Sequence, residues 1–482
     1  MKRDYKTRRR SQDGIALLIA IFVLLLISVV AIALLVSSGT ETALGANYRT
    51  SSSVYYAALA GLEEARGRLL PRNPNYFGNS VVPSNLALGQ TVYVINRLSG
   101  DNIAPWDQSN SFYDTEYKTE FGVEASSASW QSVYSIWDNN SLTVPGPIFK
   151  WVRINAATEQ SLFLQVNSSG YSTSPAIYYD PFHLNNSANA WPSLVVGPTS
   201  TSVQALEITA MASLPTGSKK ILQYLVAPIS VNLTFPAALT LDGYSDSYTG
   251  PNHTLFHING TDTGDPACSA SGFPANLPAI WVPDSSDVTT VLSGIPPSRL
   301  GNYTGSTPPA SVSHLGGSLP TSLQTPKGLD AYVQSFAPYS DVRLAGPADQ
   351  TSLPAGMSAS NPMSVFVQGD FNLTGGFTGY GLLIVTGNFT YTSDSSWNGL
   401  IMVVGQGSVS ANSSLTGGTF NGAMFIAQTR NTSGVVLSGS TLGSASFSNT
   451  GHGNGIIYNC AWISTAEAIL TYKILSFHEI RQ

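Results

Sequence analysis

The sequence predicts an α+β protein in which one long N-terminal helix precedes a mostly β body. Residues 15–36 form an uninterrupted apolar run, and helical spacing of apolar residues continues to residue 70. Beyond that point, short apolar runs bounded by glycine recur to the C-terminus. Charged residues make up only 10% of the chain, against about 25% in ordinary soluble domains. This composition favours β-rich surfaces over a helical bundle.

Length and charge limit the classes of function. A chain of 482 residues exceeds the usual single-domain size, so two or three structural regions are expected. The formal net charge is −6, although the first fourteen residues are strongly basic. The remainder is therefore more acidic than the total suggests. An acidic body argues against nucleic-acid binding, which needs a basic surface facing the phosphates.

Residues 15–36 predict a membrane-spanning helix, because Ser28 is the only polar residue in the run. A helix rises about 1.5 Å per residue, so this segment can cross a hydrocarbon core of roughly 30 Å. The Lys and Arg residues before it place the N-terminus in the cytoplasm and predict export of the body. A cleaved secretory signal and a plain single-pass anchor are the alternatives.

The helical pattern does not stop at the end of the apolar run. From residue 37 to residue 70 there is no proline, and apolar residues recur every three, four or seven positions. Pro71 and Pro74 then end the pattern. One helix over residues 15–70 is therefore predicted, with a lipid-facing first half and an amphipathic second half. Gly39, Gly45 and Gly61 are positions where this helix is expected to be weakest.

Three blocks in this region resemble the N-terminal part of PilX-type minor pilins, over about residues 8–70. The first is DGIALL at residues 13–18, where a basic leader ends in glycine before the apolar helix. The second begins at residue 45 and the third at residue 55. The residues that carry these two blocks are Asn47, Tyr48, Arg49, Tyr55, Tyr56, Ala57, Ala58, Ala60, Gly61, Leu62 and Glu63.

The resemblance implies a maturation step and an assembly surface. Residues 1–14 would be a leader that a prepilin peptidase removes between Gly14 and Ile15, with methylation of Ile15. The first half of the helix would then lie in the core of a filament. Its expected contact residues are Ile15, Leu17, Leu18, Ile19, Phe22, Leu25 and Val29. The implied partners are other pilin subunits, the pilus assembly platform, the peptidase and the bacterial inner membrane, before the protein reaches a pilus or the cell surface.

Ile19 departs from the pilin pattern, which has glutamate at the fifth residue of the mature chain. That carboxylate neutralises a neighbouring N-terminal ammonium in an apolar filament core, where an unpaired charge is costly. A subunit without it is expected at a filament tip or in initiation of assembly. The helix around Tyr48 and Tyr55 is then expected to contact a partner pilin that carries the glutamate.

The body is predicted to contain three regions. Residues 71–260 form a β-rich domain, with strands expected at 91–95, 148–154, 161–166 and 220–226. Residues 261–362 form a Pro/Gly/Ser-rich connection with short helices at 285–292 and 326–336. Residues 363–482 contain apolar runs that follow glycines at 381, 399, 422 and 455. Their variable spacing predicts a β-solenoid, and an antiparallel sandwich is the alternative.

No pattern of catalytic residues emerges, and no cofactor or metal site is predicted. His253 and His257 lack a third metal ligand, and Asp262 and Asp265 fit a turn. Cys268 and Cys460 can form one disulfide in an exported protein, or remain buried thiols.

The sequence therefore favours a non-enzymatic minor pilin or pseudopilin that acts in type IV pilus assembly or initiation. A membrane-anchored β-solenoid adhesin that never enters a filament is the second hypothesis. An exported hydrolase is the third.

Overall fold

A computed structural model describes the chain from residue 9 to residue 480 with short gaps, and side chains from residue 14. The gaps are residues 71–72, 79, 84, 139–145, 167–169, 181–192, 200–201, 230, 232, 234, 263–264, 267, 269–271, 317–318, 412, 454 and 470–471. The α-helices of the described residues are α1 (Arg9–Arg68), α2 (Thr115–Phe121), α3 (Glu159–Leu162), α4 (Ser285–Ser293), α5 (Pro326–Gln334) and α6 (Cys460–Ala468). Short 3-10 helices are Ala125–Ser127, Pro297–Asn302, Thr321–Leu323, Ala337–Tyr339 and Gln350–Ser352.

Most of the body consists of β-strands. The first half of the chain contributes β1 (Gln90–Ile95), β2 (Ser129–Tyr134), β3 (Phe149–Ala156), β4 (Ile177–Tyr179), β5 (Leu194–Val196), β6 (Val203–Gln204), β7 (Leu206–Ser213), β8 (Lys219–Pro228), β9 (Leu239–Leu241), β10 (Ser247–Thr249) and β11 (His257–Asn259). The second half contributes β12 (Ile280–Trp281), β13 (Tyr303–Thr304), β14 (Val312–Ser313), β15 (Val342–Ala345), β16 (Ala348–Asp349), β17 (Met363–Gln368), β18 (Phe371–Leu373), β19 (Thr378–Val385), β20 (Asn388–Tyr391), β21 (Ser396–Gly405), β22 (Ser408–Ala411), β23 (Thr419–Gln428), β24 (Ser446–Asn449), β25 (Gly455–Tyr458) and β26 (Tyr472–Ile480). The α+β class is therefore confirmed.

Helix α1 is continuous, as the spacing of apolar residues predicts. It has 60 residues and passes through Gly39, Gly45 and Gly61 without a break. The hydroxyls of Ser28 and Thr42 donate to carbonyls one turn earlier, so these polar side chains are satisfied within the helix.

A six-stranded sheet lies against the C-terminal half of α1, in the order β2-β1-β3-β7-β8-β26. Its pairings are antiparallel except for the parallel pair β1 and β2. One face packs on α1 through a cluster that includes Val152, Ile154 and Ile208. The last strand, β26, completes the sheet by pairing with β8.

Two sheets of parallel strands form most of the rest of the body, beside a small antiparallel sheet in the order β5-β4-β6. From β15 to β25 the chain alternates between them, with odd-numbered strands in one and even-numbered strands in the other. The first has 11 strands, of which eight follow the order β13-β11-β25-β23-β21-β19-β17-β15. The second has six, in the order β10-β24-β22-β20-β18-β16. Side chains of both sheets, such as Ile401 and Phe389, share one hydrophobic core.

Glycines that begin the predicted apolar runs lie next to one another in the first parallel sheet. Gly381 pairs with Gly399, and Gly399 pairs with Gly422. All three have positive φ, and a Cβ on Gly399 would lie 1.9 Å from the Gly381 carbonyl oxygen. This column therefore requires glycine both for its backbone conformation and for space. The predicted strands at 381, 399, 422 and 455 are all present.

The structure differs from the predicted organisation at three places. Residues 161–166 were expected in a strand, but α3 begins at Glu159, where Thr158 and Ser161 form a capping box, and its end at Leu162 is followed by irregular structure. Strands β9 to β11, expected in the first β domain, pair with strands of the parallel sheets. Strand β26, expected in the C-terminal domain, belongs to the first sheet. Pairing between distant strands is decided by tertiary contacts rather than by local sequence.

Cys268 and Cys460 are joined by a disulfide, with their Cα atoms 5.0 Å apart. The bond connects the chain before β12 to the first residue of α6, across a separation of 192 residues. The buried side of α6, which includes Ile463 and Ala466, packs on the core of the parallel sheets. The disulfide therefore fixes the start of this covering helix to the middle of the chain.

Candidate functional site in the N-terminal helix

The first half of α1 projects from the body, and its described side chains are exposed from residue 14 to residue 49. Its most apolar 18-residue window has a mean hydropathy of 3.4 and no buried residue. Among the described residues this is the one helix that is long and apolar enough to cross a membrane. The predicted apolar assembly residues are all more than half exposed: Ile15, Leu17, Leu18, Ile19, Phe22, Leu25 and Val29.

The predicted cleavage position lies on this projecting segment. Gly14 is helical, and a Cβ built on it would meet no atom within 4 Å. Ile15 is 62% exposed. The bond between them is therefore clear of the body of the chain. Ile19, which replaces the usual glutamate, is 55% exposed on the same segment.

The second half of α1 lies on the first sheet, with small residues at the closest contact. Ala57, Ala58 and Leu62 are buried against that sheet. A Cβ on Gly61 would lie 2.9 Å from Phe149 Cγ and 3.0 Å from Val152 Cγ2. Gly61 thus permits a helix–sheet distance that a larger residue would increase.

The remaining residues of the resemblance face away from the sheet or lie at its margin. Asn47, Tyr48, Arg49 and Tyr56 are exposed, with Tyr48 at 78%. Tyr55 is half-buried, and its ring meets Phe477 of β26 edge to face at 6.4 Å. Tyr48 is therefore open to a partner, whereas the ring of Tyr55 already packs against its own chain.

A carboxylate on α1 holds the helix to the edge of the sheet formed by β8 and β26. The Tyr224 hydroxyl donates to Glu63 at 3.0 Å, and Arg66 forms an ion pair with the same carboxylate. Arg66 also donates to the Tyr472 carbonyl at 3.3 Å. Burial, and secondly the charge of Glu63, raises the pKa of Tyr224 to about 12. The helix is therefore bonded to both β8 and β26.

A second carboxylate holds the end of α1 to strand β2. Glu64 accepts from the Ser135 hydroxyl at 2.7 Å and from the Ile136 N–H at 3.1 Å. Arg68 pairs with Glu64 at 3.2 Å and donates to the Tyr134 carbonyl at 2.9 Å. Because the spacing of Glu64 and Arg68 suits a surface pair on a helix, their contacts with β2 are not predictable from sequence alone.

Among the described residues, the side chains that come close enough to bind a metal ion are engaged in other bonds. Asp262, Cys268 and Cys460 approach one another, but the two sulfur atoms are bonded to each other. The Asp262 carboxylate accepts the Cys460 N–H at 2.8 Å. His253 stacks on His452 with ring centroids 4.1 Å apart.

Helix α1 therefore has an exposed apolar half and a half that is fixed to an antiparallel sheet. This arrangement can insert one end in a membrane or among other helices while the body remains outside. Comparison with known proteins does not assign the chain to a group: no protein-family model, no curated protein and no solved structure matches it.

Proposed function

We propose that the chain is a minor pilin or pseudopilin-like subunit that takes part in type IV pilus assembly or initiation. The observation that carries this proposal is the single helix α1, with an exposed apolar half and a half packed on a sheet. The three PilX-like blocks all lie on this helix. Their small residues, Ala57, Ala58 and Gly61, occupy the helix–sheet contact.

The proposal places the projecting half of α1 first in the inner membrane and then among the helices of other subunits. Apolar side chains cover that half on every side, which suits lipid and a filament core equally. The assembly platform and the prepilin peptidase are the further partners. The proposed role is structural and includes no catalysis, cofactor or nucleic acid.

We also infer that the two parallel sheets form a β-solenoid. Alternation of successive strands between the sheets supports this, as do the parallel registers from β15 to β25. An antiparallel sandwich would pair its strands in the opposite direction. Such a body also suits the second hypothesis, a membrane-anchored adhesin outside any filament.

Leader processing tests the pilin assignment. The protein isolated from native membranes is expected to begin at N-methylated Ile15, as read by mass spectrometry of its N-terminal peptide. Gly14→Val is expected to abolish cleavage, because a branched side chain occupies the space the peptidase needs. Gly39→Val is the matched control on the same exposed helix, where a Cβ also meets nothing within 4 Å. Native protein that retains Met1 would refute the pilin assignment and favour the membrane-anchored adhesin.

Copy number tests the proposed place at the tip. A subunit with Ile19 has no carboxylate for the ammonium of a neighbour, and burying that charge unpaired costs several kcal/mol. We therefore expect far fewer copies of this protein than of the main pilin in sheared filaments, measured by quantitative proteomics. Comparable abundance of the two proteins would exclude a tip-only role.

A further inference from the structure

A cavity of about 360 Å³ opens between three loops of the parallel-sheet region. Its wall includes Asp242 and Tyr244 after β9, Trp281 in β12, and Thr441 and Leu442 before β24. This volume lies within the range of pockets that hold small molecules, about 300–1,000 Å³. Nothing in the pilin proposal uses this cavity, which lies far along the chain from α1.

Two polar groups of the wall are buried without a partner. Asp242 is 7% exposed and Trp281 is 3% exposed. Within the described part of the chain, neither Asp242 Oδ2 nor Trp281 Nε1 has a hydrogen-bond partner. Leaving a buried polar group unpaired costs about 1–3 kcal/mol, so two such groups in one wall call for an external partner.

The two groups require opposite hydrogen-bonding functions from that partner. The Trp281 indole N–H can only donate, so its partner must supply an acceptor. Burial raises the pKa of Asp242 to about 7, so its carboxyl accepts when ionised and can also donate when protonated. A hydroxyl group serves either role, whereas an ammonium or guanidinium group has no acceptor for the indole.

The charges around the cavity exclude an anionic ligand. Asp284 also lines it, and the backbone N–H of Ser286 lowers the pKa of that carboxyl, which keeps it ionised. Burial raises the pKa of Asp246, behind the wall, to about 8, so this carboxyl adds little charge at neutral pH and Asp284 supplies the negative charge. No basic side chain lines the cavity in the described residues. A phosphate or carboxylate would therefore meet uncompensated repulsion.

An aromatic ring and apolar groups complete the wall. Tyr244 is 65% exposed at the mouth, so its ring is open for stacking. Leu442 and Pro283 supply apolar surface beside it. A sugar ring offers hydroxyls at its edge and C–H groups on its face, which match polar groups deep in a pocket and an aromatic ring at its mouth.

We propose that this cavity binds a neutral saccharide unit, with Trp281 and Asp242 bonding to its hydroxyls and Tyr244 stacking on its face. The inference is independent of the proposed function, because a pilus tip protein and a membrane-anchored adhesin would both present it outside the cell.

Binding is tested with the full chain in a detergent that has no sugar headgroup. The probes are the methyl glycosides of glucose, galactose, mannose and N-acetylglucosamine, observed by saturation-transfer NMR. We expect at least one of them to bind with a dissociation constant of about 1 mM. Tyr244→Ala is expected to weaken that binding roughly tenfold, and Trp281→Phe, which keeps an aromatic ring but removes the N–H, by a similar factor.

Tyr171→Ala is the matched control, because Tyr171 is 52% exposed and lies outside the cavity wall. It is expected to leave binding unchanged. Circular dichroism checks that each variant is folded. If Trp281→Phe does not fold, Tyr244→Ala alone tests the cavity. The proposal is overturned if none of the glycosides binds, or if the folded cavity variants bind as tightly as the parent. Binding of N-acetyl-lysine methylamide in place of the glycosides would assign the cavity to a cationic side chain and also overturn it.

Discussion

Replacing Gly399 by alanine is expected to open the parallel sheets at their centre. The new Cβ would lie 1.9 Å from the Gly381 carbonyl oxygen, and φ at this residue is +142°. Neither strand can move aside without breaking the register of β19, β21 and β23. A disfavoured backbone conformation and overpacking each cost about 1–3 kcal/mol, so we expect a loss of about 3 kcal/mol or more.

Hydrogen exchange with mass spectrometry can locate this effect in the chain. Peptides from 378–428 are expected to lose protection, whereas those from 206–228 in the first sheet keep it. Gly301→Ala is the matched control, since a Cβ there meets nothing within 4 Å and φ is not positive. Its effect is expected within about 0.5 kcal/mol. Equal protection of peptides from 378–428 in the two variants would contradict the requirement for glycine at residue 399.

The regular parts of the fold were predictable because their signals are local. The apolar run and the absence of proline specify α1 without reference to any other segment. The glycines at 381, 399 and 422 mark strands, and they also lie in register across neighbouring strands. The same restriction on backbone conformation therefore applies to each of these glycines, which lie side by side across the sheet.

The parts that were not predicted depend on distant contacts. Strand β26 pairs with β8 some 250 residues earlier, and nothing in its own sequence identifies that partner. The same holds for the cavity wall, where Asp242 and Trp281 resemble ordinary loop and core residues until the fold brings them together. On α1, the need for glycine at residue 61 arises from the Phe149 side chain opposite it, which lies on a strand far along the chain.

A fully buried charge cluster lies on the face of the first sheet opposite α1. Arg153 is completely buried and pairs with Asp114 at 2.7 Å and with Glu120. It also donates to the Asn155 side chain at 3.0 Å. Helix α2 closes this face, with the Tyr117 ring 5.6 Å from the Arg153 guanidinium. The cluster therefore connects the loop before β2 to the central strand of the sheet.

We expect Arg153→Met to destabilise the first sheet by about 3–5 kcal/mol, because it leaves buried carboxylates without their cation. The midpoint of urea unfolding of the full chain in detergent, followed by circular dichroism, measures the loss. Lys118→Met is the matched control. It removes a cation from the more exposed pair with Glu124, which is expected to contribute at most about 1 kcal/mol.

The pH dependence separates loss of charge from loss of packing in this variant. Burial raises the pKa of Glu207 and the charge of Arg153 opposes that rise, so without Arg153 the folded-state pKa of Glu207 should rise further above its unfolded value. A group with a raised folded pKa adds stability at low pH, and that stability is lost as pH rises through the folded pKa. Arg153→Met should therefore be closer to the parent at pH 5 than at pH 8. Because the pKa of Glu207 is already raised in the parent protein, the comparison must be made as a difference between the two chains. An equal deficit at both pH values would show that packing alone makes Arg153 necessary.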